Sequence, residues 1–111
     1  MGVLVWVDEW QFSCCGDPFG IGDAVAWLLK PVDAARMLEV LGPEIGRLVV
    51  HAEERHDQSE VAHRHRGRVD SLRMVCRRMD GGAELIDIVR THGADPDRDL
   101  HGYLVELTLW E

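Results

Sequence analysis

Alternation of apolar and polar residues lays out most of this chain. Over 3–8, Val3, Val5 and Val7 fall on one face of an extended segment and Leu4 and Trp6 on the other. Apolar on both faces and rich in β-branched residues, that segment predicts a strand starting inside a barrel or sandwich rather than at an exposed edge. A second strand follows over 24–30, with Val25, Trp27 and Leu29 on one side. The spacing becomes helical over 33–41, where Ala34, Met37, Leu38 and Leu41 make an apolar stripe, Asp33 can cap the first turn and Gly42-Pro43 ends it. Residues 47–54 predict a third strand, with Leu48, Val50 and Ala52 opposite Val49 and His51, and 61–79 a long one bent or bulged at Gly67. The cleanest strand is 101–110, where Tyr103, Val105, Leu107 and Leu109 alternate with Leu104, Glu106, Thr108 and Trp110. Residues 80–82 are turn chemistry, 91–99 a polar loop, and 83–90 fit a short strand or a helical turn equally. Five to six strands, with one short helix between strands two and three, predict a mainly β domain over 1–111, a small SH3-like or OB-like barrel.

Residues 10–27 are the most distinctive stretch, holding Cys14 and Cys15, both phenylalanines and two of the four tryptophans. Gly16-Asp17-Pro18 and Gly20-Ile21-Gly22-Asp23 are turn formers, which predicts an ordered loop between the first two strands. Trp10, Cys14, Cys15 and Phe19 are its candidate binding residues.

Composition narrows the class. At 111 residues, 46% hydrophobic and 29% charged, the chain can bury one modest core without a staple. The first residues are apolar but lack a basic region and are interrupted by Asp8 and Glu9, so neither a signal peptide nor a membrane span is expected, and a cytoplasmic setting without a membrane partner is. Three cysteines, two of them adjacent, do not form a disulfide framework. The net charge of −8 is uneven: residues 1–61 carry 4 basic and 11 acidic groups, 62–78 carry 6 and 1, and 79–111 carry 2 and 8. A basic island thus sits between two acidic segments, and general polyanion binding is disfavoured unless that island presents one concentrated face.

The runs Val-Trp-Val-Asp-Glu-Trp-Gln at 5–11, Cys-Cys-Gly-Asp-Pro-Phe at 14–19, Gly-Asp-Ala-Val-Ala-Trp at 22–27 and Gly-Tyr-Leu-Val-Glu-Leu at 102–107 resemble a family of small uncharacterised actinobacterial proteins, found mainly in streptomycetes. The most specific element is Trp-Gln-x-x-Cys-Cys-Gly-x-Pro-Phe. This resemblance implies a bacterial cytoplasmic setting and no activity, cofactor or site residue.

Four chemistries compete. Cys14 and Cys15, with His51, His63 and His65, could make a zinc or nickel shell if the strands carrying His51 and the other two histidines pair as a hairpin. Against that, adjacent cysteines suit one zinc poorly, so no cofactor is the expectation, with zinc the one candidate; a buried thiol and a solvated histidine face explain the same residues. Arg64, Arg66 and Arg68 alternate with those histidines and could grip phosphates or a carboxylate-rich partner. No aromatic interleaves with them to stack bases, so nucleic acid is disfavoured, and pairing with the chain's own carboxylates is the bland alternative. A Cys-His nucleophile can be drawn on paper, yet no nucleophile elbow, phosphate loop or His-Glu-x-x-His run accompanies it, so no catalytic residue is assigned. The tryptophans could line a groove, though in a small barrel they more often fill the core. A non-enzymatic interaction domain with a protein partner is therefore the expectation.

Overall fold

A computed structural model describes residues 2–9, 18–53, 63–91 and 99–110. Within them the chain forms β1 (Gly2–Asp8), β2 (Ala24–Pro31), α1 (Ala34–Leu41), α2 (Pro43–Gly46), β3 (His51–Glu53), β4 (His63–Arg77), β5 (Ala83–Asp87) and β6 (Leu100–Leu109). The strands are ordered β2-β3-β1-β6-β4-β5, and β2 also pairs with β4, which closes five of them into a barrel and leaves β5 as an added sixth. β1 and β3 run parallel; the other pairs are antiparallel. The fold is thus mainly β, a small barrel whose helical segment lies between the second and third strands, as the hydrophobic pattern predicts.

The apolar character of both faces of β1 and β6 has a direct cause. Their inward residues Val5, Val7, Tyr103, Val105 and Leu107 pack with Trp27, Leu29, Val69 and Leu72 in the barrel interior. Their outward residues Trp6 and Leu104 pack instead with Met37 and Leu41 of α1, with Val49 and with Ala52. The helices therefore roof one outer wall of the barrel, and α1 is held by that packing, as an eight-residue helix must be. Asp33 caps it as expected, its Oδ1 accepting from the Arg36 N–H at 3.1 Å.

Two strands differ from expectation. The third is only three residues long, because Pro43 opens a further helical turn and the chain turns at Arg47 and Leu48 before it can extend. In β4, Gly67 keeps regular register against both Val25 and Leu109, and the register shifts lie at Val69/Ser71 and Val75/Cys76. Gly67 is needed for a close approach instead: a Cβ there would stand 2.5 Å from the Thr108 carbonyl oxygen.

One edge of β4 is shared end to end. β2 pairs with it over 63–68 and β5 over 73–77. Across the interval, Gly22 N–H donates to the Val69 carbonyl at 2.8 Å, Val69 N–H to that of Asp23 at 3.0 Å, and Ile88 N–H to that of Leu72 at 3.1 Å. Beside this seam, Gly20 bridges to Arg90, and Phe19 is fastened to Thr91. Thr91 Oγ1 accepts from the Phe19 N–H at 3.1 Å and donates to the Phe19 carbonyl at 3.2 Å, while the Thr91 N–H donates to the same carbonyl at 2.8 Å. Thr91→Val keeps the shape but withdraws the hydroxyl from a buried N–H, so it is expected to cost about 1–3 kcal/mol in urea unfolding, with Thr91→Ser recovering most of that. An unchanged midpoint for Thr91→Val would show that the clamp contributes nothing.

Candidate functional site

Strand parity sorts the chemistry of β4 into two sets. Leu29 lies opposite His63 and Trp27 opposite His65, and since Trp27 and Leu29 face the interior, the two histidines lie on the inward side. His51 is registered against Val5 and Pro31 and so faces inward too. All three sit toward the end of the barrel where β4 begins. They are not hairpin partners, however: β2 lies between β3 and β4, so the direct opposition of His51 to His63 and His65 does not occur. Among the described residues no three His, Cys, Asp or Glu side chains gather into a group able to hold a metal. Cys14, Cys15 and Trp10 lie outside the described residues.

Phe19, the fourth residue of the candidate loop, is 4% exposed. Its ring packs edge-on against Trp27, with centroids 4.9 Å apart, and against Tyr103 at 6.4 Å. It anchors the interior and is not presented to a partner.

The outward set is the arginines. Arg64, Arg66 and Arg68 occupy alternate outward positions of β4 and are exposed. On one side they are flanked by Leu28, Ala26 and Ala24 of β2, respectively. On the other, Arg68 lies opposite Thr108, and Arg66 lies opposite Trp110, whose N–H donates to the Arg66 carbonyl at 2.9 Å. Trp110 is half exposed. The aromatic neighbour missing from the local sequence is thus supplied by a residue 44 positions further on, just past the end of β6, whose backbone hydrogen bond to Arg66 continues the β4–β6 register.

Pairing with the chain's own carboxylates accounts for only part of this charge. Arg68 Nε meets Asp70 Oδ1 at 3.0 Å, and Asp70 also accepts from the Thr108 hydroxyl. That hydroxyl, and then Arg68, hold the Asp70 carboxyl below the usual range. Arg77 pairs with Asp99, Arg78 with Asp80, Arg90 with Asp23 and Arg36 with Asp8, at 3.0–3.6 Å. Arg64 and Arg66 have no carboxylate at ion-pair distance among the described residues.

A cavity of about 440 Å³ opens beside α1, lined by Trp6, Asp8, Lys30, Asp33, Arg36 and Met37 among others. Its charges are largely committed to structure, since Asp33 caps α1 while Asp8 takes both the Arg36 guanidinium and, at 3.3 Å, the Trp6 indole N–H. No helix among the described residues is long and apolar enough to cross a membrane.

Two histidines, His51 and His101, carry a pH signature. Burial, and then the charge of His65, push His51 below the ordinary imidazole value, and burial does the same to His101, helped by Arg77. The unfolded chain takes up these protons near pH 6.5, the folded chain only at lower pH. Their contribution to stability is therefore complete above about pH 6.5 and is lost as pH falls through the lowered folded values. In an NMR titration the His51 imidazole is expected to protonate below the ordinary value and to move back toward it in His65→Gln. A normal midpoint for His51 would contradict this placement.

A comparison with curated proteins and one with solved structures each find no match to this chain. A family model spans residues 1–109, from the start of the barrel's first strand to the end of its last. The chain belongs to that family, a family of unknown function (DUF6578).

Proposed function

We propose that this chain is a binding domain, without a catalytic role, whose β2–β4–β6 outer face engages an extended anionic chain. The observation that carries this reading is the placement of the arginines: Arg36, Arg68, Arg77, Arg78 and Arg90 are answered by carboxylates, and of Arg47, Arg64, Arg66 and Arg73, which have no ion pair among the described residues, Arg64 and Arg66 stand exposed at alternate outward positions of one strand. Outward positions two apart on a strand recur about every 6.8 Å, so these guanidiniums form a row with a repeat that a linear polyanion can follow. The row is held by backbone pairing with β2 along its length and, at Arg66 and Arg68, on the β6 side as well, which fixes its spacing before any partner arrives. The flanking alanines leave room for a chain to lie against the sheet. An overall charge of −8 does not oppose this at short range, because charges more than about 10 Å away are largely screened at 0.1 M salt.

The test is calorimetric titration with inorganic polyphosphate at about 0.1 M salt, where the distant acidic groups are screened. Binding is expected, and Arg64→Ala/Arg66→Ala should weaken it at least about tenfold, the loss of two charge-assisted contacts. Arg47→Ala, which removes an exposed arginine elsewhere, should leave it unchanged. Absence of binding, or equal losses in the two variants, would remove the reading.

A further inference from the structure

The same face indicates what kind of polyanion it accepts. We infer that the ligand is single-stranded nucleic acid, held at its phosphates by Arg64 and Arg66 and at one base by Trp110; this rests on the anion-binding reading above. A row of arginines alone would serve an acidic peptide equally well. What separates the two is the half-exposed indole placed directly across from Arg66 by the β4–β6 register. Every base offers a π face, and an exposed aromatic beside a cationic row is the arrangement by which β-sheet surfaces hold single strands without reading sequence. An acidic peptide has carboxylates for the arginines but nothing that requires a stacking plane.

The geometry sets further conditions. The face is a sheet surface, with Ala24 and Ala26 flanking the arginine row on one side and Trp110 on the other. An unstacked, extended strand fits such a surface, whereas a duplex would keep its bases turned inward, away from Trp110. Thr108, opposite Arg68, lies next to Trp110 on the same outward side of the sheet and donates to Asp70. Arg68 is already paired with that carboxylate, so among the described residues two guanidiniums of the row, not three, are without an ion pair and open to phosphate. Binding is accordingly modest and salt-sensitive: two neutralised phosphates give a slope of about −1.4 in log K against log salt for a single strand.

The experiment is fluorescence polarisation of a labelled thymidine dodecamer, alongside polyphosphate and a dodecamer of glutamate, with wild type, Trp110→Ala, Trp110→Phe and Arg66→Ala; circular dichroism confirms the fold of each. The expected result is that Trp110→Ala weakens thymidine binding about tenfold, Trp110→Phe largely restores it, and neither changes polyphosphate binding. Arg66→Ala should weaken thymidine and polyphosphate together and flatten the salt slope. If Trp110→Ala leaves thymidine binding unchanged, or if the glutamate peptide binds more tightly than thymidine, this inference fails while the anion-binding reading stands. If no probe binds, both fail.

Discussion

The arrangement depends on Phe19 and what secures it. A barrel this small has room for few large side chains, and the Phe19 ring fills the space between Trp27 and Tyr103 in edge-on contacts with both. Burial of an aromatic of this size contributes about 1.5–3 kcal/mol, and the edge-on pairs add to it. The ring could not be kept there by packing alone without leaving backbone groups stranded, since the residue precedes β2 and belongs to no strand. Thr91 answers that need with its hydroxyl and its N–H. The clamp thus joins the approach to β2 to the segment after β5, two stretches that meet only because β4 carries both strands on one edge.

From that clamp the register of the outer face follows. The turn from Gly20 to Asp23 is closed by Gly20 N–H to Asp23 Oδ2 at 2.9 Å and Asp23 N–H to the Gly20 carbonyl at 3.1 Å, with Gly22 at φ 93°, where a side chain would be strained. Asp23 then hands the chain to Val69, and Ala24 falls opposite Arg68. A slip of one residue here would turn Arg64, Arg66 and Arg68 into the barrel and the histidines out, at prohibitive desolvation cost. The position of the arginines on the surface is therefore set by a phenylalanine that never reaches it.

How much of this is legible from sequence depends on distance along the chain. β1, β2, β6 and α1 follow from local periodicity and from Asp33 and Gly42, because in each the burial pattern and the backbone signal agree. The third strand is overestimated: the alternation from Leu48 to Val50 is real, but Val49 serves the helix-side packing while Leu48 and Val50 remain exposed. β5 has no decisive period, since its residues are all partly or fully exposed on a sheet edge. The arginine row is visible as an alternation within β4. Its aromatic neighbour is not, because Trp110 reaches Arg66 only through the β4–β6 register, and that register includes an irregularity at Asp70 that no local pattern announces. The histidine set fails for the same reason in reverse: proximity in sequence suggests a hairpin, and β2 intervenes.

The distribution of charge on the barrel follows what covers each wall among the described residues. One outer wall of the barrel is roofed by α1 and α2 and spends its apolar residues there; among the described residues, the wall formed by β2 and the start of β4 has no such roof. An exposed strand wall needs polar residues to stay soluble, and acids would serve as well as arginines in a chain that is acidic overall. Arginine at three alternate positions is thus more than solubility requires, and the Asp70–Thr108 pair neutralises only the one nearest the irregularity. That leaves the positive charge concentrated at the end where Trp110 stands. On the proposed reading, a polyanion gains only at contact range of Arg64 and Arg66, where the acidic groups elsewhere are largely screened.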